Sequence, residues 1–304
     1  MDDAFVKEVV SGVEIYGLGG AVLLFMVIVG EIFMRWREGK APMSKEGANS
    51  ALFFGIFGSA AEAVFYNALL IAALWPVYHL TPLRIEVSLW TLPIYFIIGE
   101  LAYYWYHRVG HEVRLCWADH SIHHSAGTYD FTVNLRHVPF QALYRWVVWA
   151  PFIALGFHPL IFVLFTTTGP SFQTFCHTTR IGRFHPWFEW LFITPKNHGV
   201  HHASNEPYLD KNYGGLTMIW DHVFGTYQRM EDHIAPDYGI TYPLQTANPI
   251  KVVLHEFVPL FRDFAAAPSF GQKMGVLFGR PGHTFELPRG SPPRSAASQL
   301  QAAE

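Results

Sequence analysis

Seventeen of the 304 residues are histidine, and eight of these fall into three short boxes. His107 and His111 stand four apart. His120, His123 and His124 follow as His-x-x-His-His, and His198, His201 and His202 repeat that pattern. On a helix, positions i, i+3 and i+4 share one face, so each box presents its imidazoles as a group. A single His-x-x-x-His arises often by chance; two His-x-x-His-His boxes beside it do not. Neutral imidazole is a ligand for zinc, copper, iron and nickel, and eight of them fill the coordination of two ions. A structural zinc takes four ligands, usually with thiolates. The two cysteines exclude a thiolate zinc site, an iron–sulfur cluster and a disulfide framework. Two histidine-rich ions close together suit oxygen activation by non-haem iron. A dizinc hydrolytic site is the alternative that the spacing leaves open.

A ninth ligand is expected at His177, in Phe175-Cys176-His177-Thr178, with Cys176 as a small packed neighbour. His137 reads as a residue that lines the site or hydrogen-bonds within it. The remaining histidines lack box spacing and read as surface or packing residues. Neutral imidazoles leave the charge of two divalent ions uncompensated, so carboxylates are expected behind them, orienting the far ring nitrogens. Glu112, Asp119, Asp130 and Asp221 are the nearest in sequence. Glu100 lies seven residues before His107 and shares its helical face. Its two readings are a functional acid and a carboxylate hydrogen-bonded to a neighbouring helix.

The composition says what must carry these residues. Half the chain is hydrophobic (51%), 16% is aromatic and only 15% is charged, against roughly 25% charged in soluble domains. With a net charge of −3, the chain is no nucleic-acid binder of the basic-patch kind. Four apolar stretches approach the roughly 20 residues that a spanning helix needs: 16–34, 51–78, 89–106 and 143–168. Acids and amides inside them are few: Glu31, Glu62, Asn67 and Glu100. The first stretch reads as a span rather than a secretory signal, because acids precede it and no small-residue cleavage site follows. Arg35, Arg37, Lys40 and Lys45 place the first loop in the cytosol by the positive-inside rule, so the 89–106 helix exits there at His107. The fourth stretch breaks at Ala-Leu-Gly-Phe-His-Pro, a turn signal. It reads as two half-length helices, 143–155 and 159–172, which return the chain to the side where the boxes lie.

The expected fold is an all-α integral membrane protein. It has about three transmembrane helices plus a helical hairpin, with a cytosolic, histidine-rich helical cap holding a dimetal site. Residues 1–88 form the N-terminal transmembrane helices, 89–227 the catalytic domain, 228–287 a C-terminal cap segment and 288–304 a disordered tail rich in Pro, Ser, Ala and Gln. No Gly-x-Gly-x-x-Gly fingerprint is present, so an oxygenase of this kind takes its electrons from an external donor. Aromatic residues around the boxes (Tyr103, Tyr104, Trp105, Tyr106, Trp117, Tyr129) divide between a tunnel wall and an interfacial belt. Gly214 and Gly215 read as a tight turn or close backbone approach, with Asn212 and Tyr213 ordering the cap beside the third box.

The three boxes, in this order and spacing, resemble the fatty acid hydroxylase/sterol desaturase superfamily of membrane di-iron oxygenases. The resemblance extends over about 89–227 and includes Asn134-Leu-Arg, Trp190-Leu-Phe-Ile-Thr-Pro195 and Trp220-Asp-His-Val-Phe-Gly-Thr-Tyr227. Within the superfamily the chain looks most like the alkylglycerol monooxygenase branch, at 104–112, 117–125, Asp210-Lys-Asn-Tyr-Gly-Gly215, Tyr238-Gly-Ile-Thr-Tyr-Pro243 and Phe278-Gly-Arg-Pro-Gly282. The resemblance implies two Fe ions held by the eight box histidines, and a functional, catalytic role for the acid after the first box, Glu112. It also implies O2 and a membrane lipid as substrates and tetrahydrobiopterin as a candidate reductant. The reaction implied is hydroxylation at the ether-linked carbon of an alkylglycerol. Hydroxylation or desaturation of an ornithine lipid, a fatty acyl chain or a sterol is the alternative. The expected location is a membrane crossed several times, the bacterial inner membrane before the endoplasmic reticulum, with the active site facing the cytosol.

Overall fold

The computed structural model describes residues 22–23, 25–40, 49, 53–54, 67–136, 141–244 and 246–282. Its named helices are α1 (Asn67–Leu80), α2 (Leu92–Glu112), α3 (Arg114–His124), α4 (Ala142–Ala154), α5 (Pro159–Gln173), α6 (Pro186–Leu191), α7 (Pro195–His201), α8 (Ile219–Phe224), α9 (Pro249–Ala266) and α10 (Phe270–Phe278). No strand occurs among the described residues, only two isolated antiparallel bridges, Phe192–Thr217 and Ala203–Tyr238. Proline opens α2, α5, α6, α7 and α9. There its missing N–H costs nothing and its fixed φ suits the first turn. Side-chain caps add to this at Thr194 (α7), Asn248 (α9) and Ser269 (α10), each accepting from a backbone N–H of the first turn.

Helices α1, α2, α4 and α5 close around Leu74, Tyr95, Trp149, Ile153, Phe157 and Phe162. Trp149 meets Phe162 edge-on at 5.9 Å. The Tyr95 hydroxyl donates to Ile85 O and accepts from His158 N, so that polar tip in the core is satisfied. The break in the fourth apolar stretch falls where the sequence puts it: α4 ends at Ala154 and α5 starts at Pro159. Gly156 at the break has φ +100, a conformation that an L side chain rarely adopts.

No helix among the described residues is long and apolar enough to cross a membrane. For α2 the reason lies in the chemistry the helix carries. It runs past the apolar stretch to Glu112, and Glu100, His107, Arg108 and His111 dilute its 21 residues. Helices α1, α4 and α5 have 14, 13 and 15 residues. Residues 16–21 and 24 of the first expected span, 51–52 and 55–66 of the second, and the 288–304 tail lie outside the described residues.

The cap braces the boxes from behind. Helices α9 and α10 pack on α3, with Leu260, Ala267 and Val276 against Ala118 and Val252 against Ile122 and Phe54. Arg114 and Asp263 pair across this contact at 2.5 Å. In front, two buried acids hold the segment between α7 and α8. Glu100 accepts from Leu216 N (2.9 Å), Thr217 N (2.7 Å) and Thr217 Oγ1 (3.0 Å). Asp221 accepts from Tyr213 N, Gly214 N and Thr226 Oγ1 at 2.7–2.8 Å. The neighbour that Glu100 bonds is therefore a loop, not a helix. The loop needs its glycines: a Cβ on Gly214 would lie 2.2 Å from Thr217 O, and one on Gly215 would lie 2.8 Å from Glu100 Oε1. From the other side, a Cβ on Gly169 of α5 would lie 2.6 Å from Gly215 Cα.

Two outcomes follow for stability. Gly169→Ala sets a methyl group against backbone rather than a movable side chain, and thermal unfolding in detergent should register a loss of about 1–3 kcal/mol. Glu256 of α9 is buried, contacts the Tyr242 hydroxyl, and burial pushes its carboxyl up to about 7. The folded state then binds the proton more tightly than the unfolded chain does. The resulting stability is full below about 4.5 and is lost as pH rises through about 7. Glu256→Gln should leave stability at pH 5 nearly unchanged and raise it at pH 8, by roughly 3 kcal/mol at most. Equal shifts at both pH values would contradict this reading of Glu256.

Candidate metal centre

Each box rides on a different element. His107 and His111 sit in the last turns of α2; His120, His123 and His124 end α3; His198 and His201 lie on α7, with His202 as its C-terminal cap residue. His177 follows the short 3-10 turn Thr174–Cys176 that ends α5. The structure brings all nine together, and every one is buried. They sort into two groups that cut across the boxes. His107, His111, His120, His124 and His201 form the first; His123, His177, His198 and His202 form the second. Within each group the nitrogens that could ligate lie within 4.8 Å of one another. The groups adjoin, with the His124 ring stacked on His202 at 4.3 Å. Histidines before and after the α4–α5 pair thus share one site, as a returning hairpin requires and a single span forbids.

The second group is the tighter. His177 Nε2 lies 3.3 Å from His123 Nε2, 3.0 Å from His202 Nε2 and 3.1 Å from His198 Nε2, and His198 and His202 are 3.2 Å apart. Metal–imidazole bonds of about 2.0–2.1 Å put neighbouring nitrogens of a tetrahedron about 3.3 Å apart and opposite nitrogens of an octahedron about 4.2 Å apart. Both groups have the size of a coordination shell. The first holds His107 Nε2 and His120 Nε2 at 3.1 Å. The Nε2 atoms of His111, His124 and His201 are buried there without a hydrogen-bond partner, which costs free energy unless another group meets them. The residues therefore fit two metal ions.

The far nitrogens explain why Nε2 faces inward. His107 Nδ1 donates to Tyr213 O (3.0 Å), His201 Nδ1 to Lys211 O (3.0 Å) and His177 Nδ1 to Gln173 O (2.9 Å). Such bonds fix the tautomer and leave the other nitrogen's lone pair for a metal. His111 Nδ1 instead faces Asp210 Oδ1 at 3.3 Å. Burial, and then the neighbouring imidazoles, hold His124, His198, His201 and His202 well below the ordinary histidine value. At neutral pH these rings are uncharged donors.

The carboxylates expected behind the rings are mostly elsewhere. Glu112 pairs with Arg108 at 3.0 Å and lies 3.8 Å from Arg280. Asp130 caps the Phe131–Leu135 turn through Thr132 N and Thr132 Oγ1. Asp221 acts at one remove, holding Tyr213, whose carbonyl holds His107. Asp119 is buried, and burial raises its carboxyl well above the ordinary value. The acid that does meet a ring is Asp210, which the spacing of the boxes does not reveal. Its signal is conformational: Asp210 and Asn212 have φ of +56 and +59, a region that Asp and Asn tolerate better than other L residues. Asn212 bonds Asn197 O, just before His198, and Gln228 O, so it orders the cap beside the third box as expected.

Gln173 is a second residue that the motifs miss. Its carbonyl holds His177, while its amide accepts from Tyr103 OH and donates to Gly214 O and Gly215 O. Tyr129 closes the second group, its ring 5.4 Å from His202 and stacked on Tyr238, its hydroxyl on Cys176 O. Cys176 is buried and belongs to neither group. His158, His222 and His255 pack or hydrogen-bond outside the site; His137 and His283 lie outside the described residues.

Removing a group that orients a ligand typically lowers metal affinity about 10–100-fold. Asp210→Asn should do so for the ion nearest His111, and His177→Ala should deplete the second group while sparing the first. Metal titration with thermal unfolding as the fold control measures both. An unchanged metal content in either variant would remove that residue from the centre.

Residues 92–226 match the family model described as Fatty acid hydroxylase. The chain is 31% identical over 282 residues to an alkylglycerol monooxygenase of Xenopus tropicalis, covering 92% of this chain and 62% of that protein. It is 32% identical over 263 residues to the Homo sapiens alkylglycerol monooxygenase, covering 85% and 58%. An ornithine lipid hydroxylase of Rhizobium tropici is 29% identical over 154 residues, covering 48% and 44%. The chain thus spans about three fifths of the alkylglycerol monooxygenases it matches most extensively. No solved structure matches it. All nine clustered histidines lie inside the matched segment, so residues 92–226 form a fatty acid hydroxylase domain, in a chain similar to alkylglycerol monooxygenases over most of its own length.

Proposed function

We propose that this protein is a membrane di-iron monooxygenase that uses O2 to hydroxylate a lipid, with the ether-linked carbon of an alkylglycerol as the leading target. One observation carries the reading: nine buried imidazoles in two adjoining shells, their ring nitrogens turned inward. Similarity to alkylglycerol monooxygenases over most of the chain supports the substrate. The ornithine lipid hydroxylase likeness keeps a second reading, hydroxylation of another polar lipid.

The residues that would hold the irons are His107, His111, His120, His124 and His201 for one, and His123, His177, His198 and His202 for the other. When bound, the iron pair supplies the O2-derived oxidizing power that no organic side chain has. The protein's own part is orientation and exclusion. Burial keeps water from the rings, and the carbonyls of Tyr213, Lys211 and Gln173 keep the ligating lone pairs of His107, His201 and His177 aimed inward. Asp210 brings negative charge to a neutral ligand set. Glu112, next to His111 and held by Arg108, adjusts the charge of the first shell without ligating it.

The overall reaction inserts one oxygen atom of O2 into the C–H bond beside the ether oxygen. The other atom leaves as water, taking two electrons and two protons from an external reductant. Tetrahydrobiopterin is the reductant of this reading. The hydroxylated ether is a hemiacetal and breaks to an aldehyde and glycerol. The family's membrane setting and the apolar α1–α2–α4–α5 bundle support a chain that crosses the membrane several times, the α4–α5 hairpin returning it to the site's side. The orientation of this reading puts the site on the cytosolic face of a bacterial inner membrane.

Metal analysis and an O2-dependent lipid assay on the purified protein test the reading. Iron near two per chain and one oxygen atom gained per turnover are the expected results. His120→Ala, His124→Ala and His201→Ala should each abolish turnover and lower bound iron. Glu112→Gln should keep the iron and lose most of the rate. Turnover that proceeds equally well without O2, or zinc retained after growth in excess iron, would replace this reading with a dizinc hydrolase.

A further inference from the structure

Helices α6 and α8 carry an exposed aromatic surface that the metal centre does not use. Val223 is 62% exposed, Trp187 60% and Trp190 54%. Beside them lie Phe224, Trp220 and Trp105 of α2. The two helices hold just two acids, and both turn inward. Glu189 is buried, accepts from Phe184 N at 3.0 Å and faces Arg183 and Arg229. Asp221 is spent on the Tyr213–Gly214 loop. His222 is covered by Trp190 on one side and Tyr227 on the other, at 4.5 and 4.2 Å. The outward face of the two helices is therefore apolar, because both of their acids are committed inside.

That face continues one already read as lipid-facing. Trp220 Nε1 donates to Ile97 O at 3.2 Å, and Ile97 sits midway in the apolar stretch of α2. Phe224 stacks on Tyr104 at 5.1 Å and meets Trp105 at 5.2 Å. Ile94 and Ile97 are exposed on the same helix. Helix α8 is thereby fixed alongside the apolar part of α2, not beyond its end. Exposed apolar patches of this kind mark interaction sites. Indole rings, apolar with one polar N–H, collect where a bilayer's hydrocarbon meets its headgroups.

We propose that the α6–α8 surface is seated in the lipid leaflet, along the acyl chains and up to the headgroup boundary, so that this edge of the cap is immersed in the membrane, not suspended above it. The occupant is the lipid leaflet itself. The inference rests on α2 being a membrane helix, as in the proposed function, and does not need the iron or the reaction.

The test is photolabelling of the full chain in phosphatidylcholine nanodiscs with a phospholipid bearing a diazirine near the glycerol end of its acyl chain, mapped by mass spectrometry. Label on the α6 and α8 peptides, several-fold above the polar loop that carries Asp232, is the expected result. Label on α2, α4 and α5 with none on α6 or α8 would overturn the proposal and leave the membrane reading intact. No label on α2, α4 or α5 would remove the membrane reading and this proposal together. Val223→Glu, at a site with room for any side chain, should reduce the α8 label while leaving that on α4 unchanged. An α8 label that survives Val223→Glu at full strength would also count against the proposal.

Discussion

Four imidazole nitrogens, with four of their six separations at 3.0–3.3 Å in a buried site, are the constraint on which the rest depends. The rings are buried and their ligating nitrogens converge, an arrangement that a bound cation would relieve. The same holds for the five rings next door. Everything else in the architecture keeps nine side chains from four separate places in the sequence in that crowded arrangement. The work is divided: α9 supports the second box from behind, and the α7–α8 loop supports the first and third from the front.

The front support is mostly backbone. Glu100 and Asp221, buried acids on two different helices, each accept from consecutive N–H groups of one loop. The loop can approach because Gly169, Gly214 and Gly215 leave no Cβ in the way. Its carbonyls then take the far nitrogens of His107 and His201. An acid inside an apolar helix is costly without partners. Here that cost fixes the position of a peptide segment to within a hydrogen-bond length, and the metal centre inherits the precision.

Much of this was legible in the sequence, and the parts that were not share a cause. The boxes were readable because histidines repeat at helical spacing, and His177 because it follows the hairpin where the chain returns to the boxes. The α4–α5 break was readable because Gly156 and Pro159 interrupt an apolar run. The division into groups of five and four was not, since His123 and His124 are neighbours in sequence yet belong to different shells. That depends on how three helices cross, which no local pattern records. The orienting groups were missed for a similar reason: proximity in sequence pointed to Glu112 and Asp130, whereas the chain uses Asp210 from a distant loop and main-chain oxygens that any residue carries. Spanning helices were expected from apolar runs alone. In α2 the polar residues of the site share the helix with the apolar run, and no helix of the described residues is long and apolar enough to cross a membrane.

Three ring nitrogens rest on the peptide oxygens of Tyr213, Lys211 and Gln173, and a codon change cannot delete a peptide oxygen. Lys211 can drift to almost any residue and still hold His201. Harmful variation in this protein is therefore displaced from the residues that touch the histidines to those that route the chain past them. The sensitive targets become the small and acidic positions Gly169, Gly214, Gly215, Glu100 and Asp221. A comparison of damaged alleles would trace the path of the loop more clearly than the outline of the metal centre.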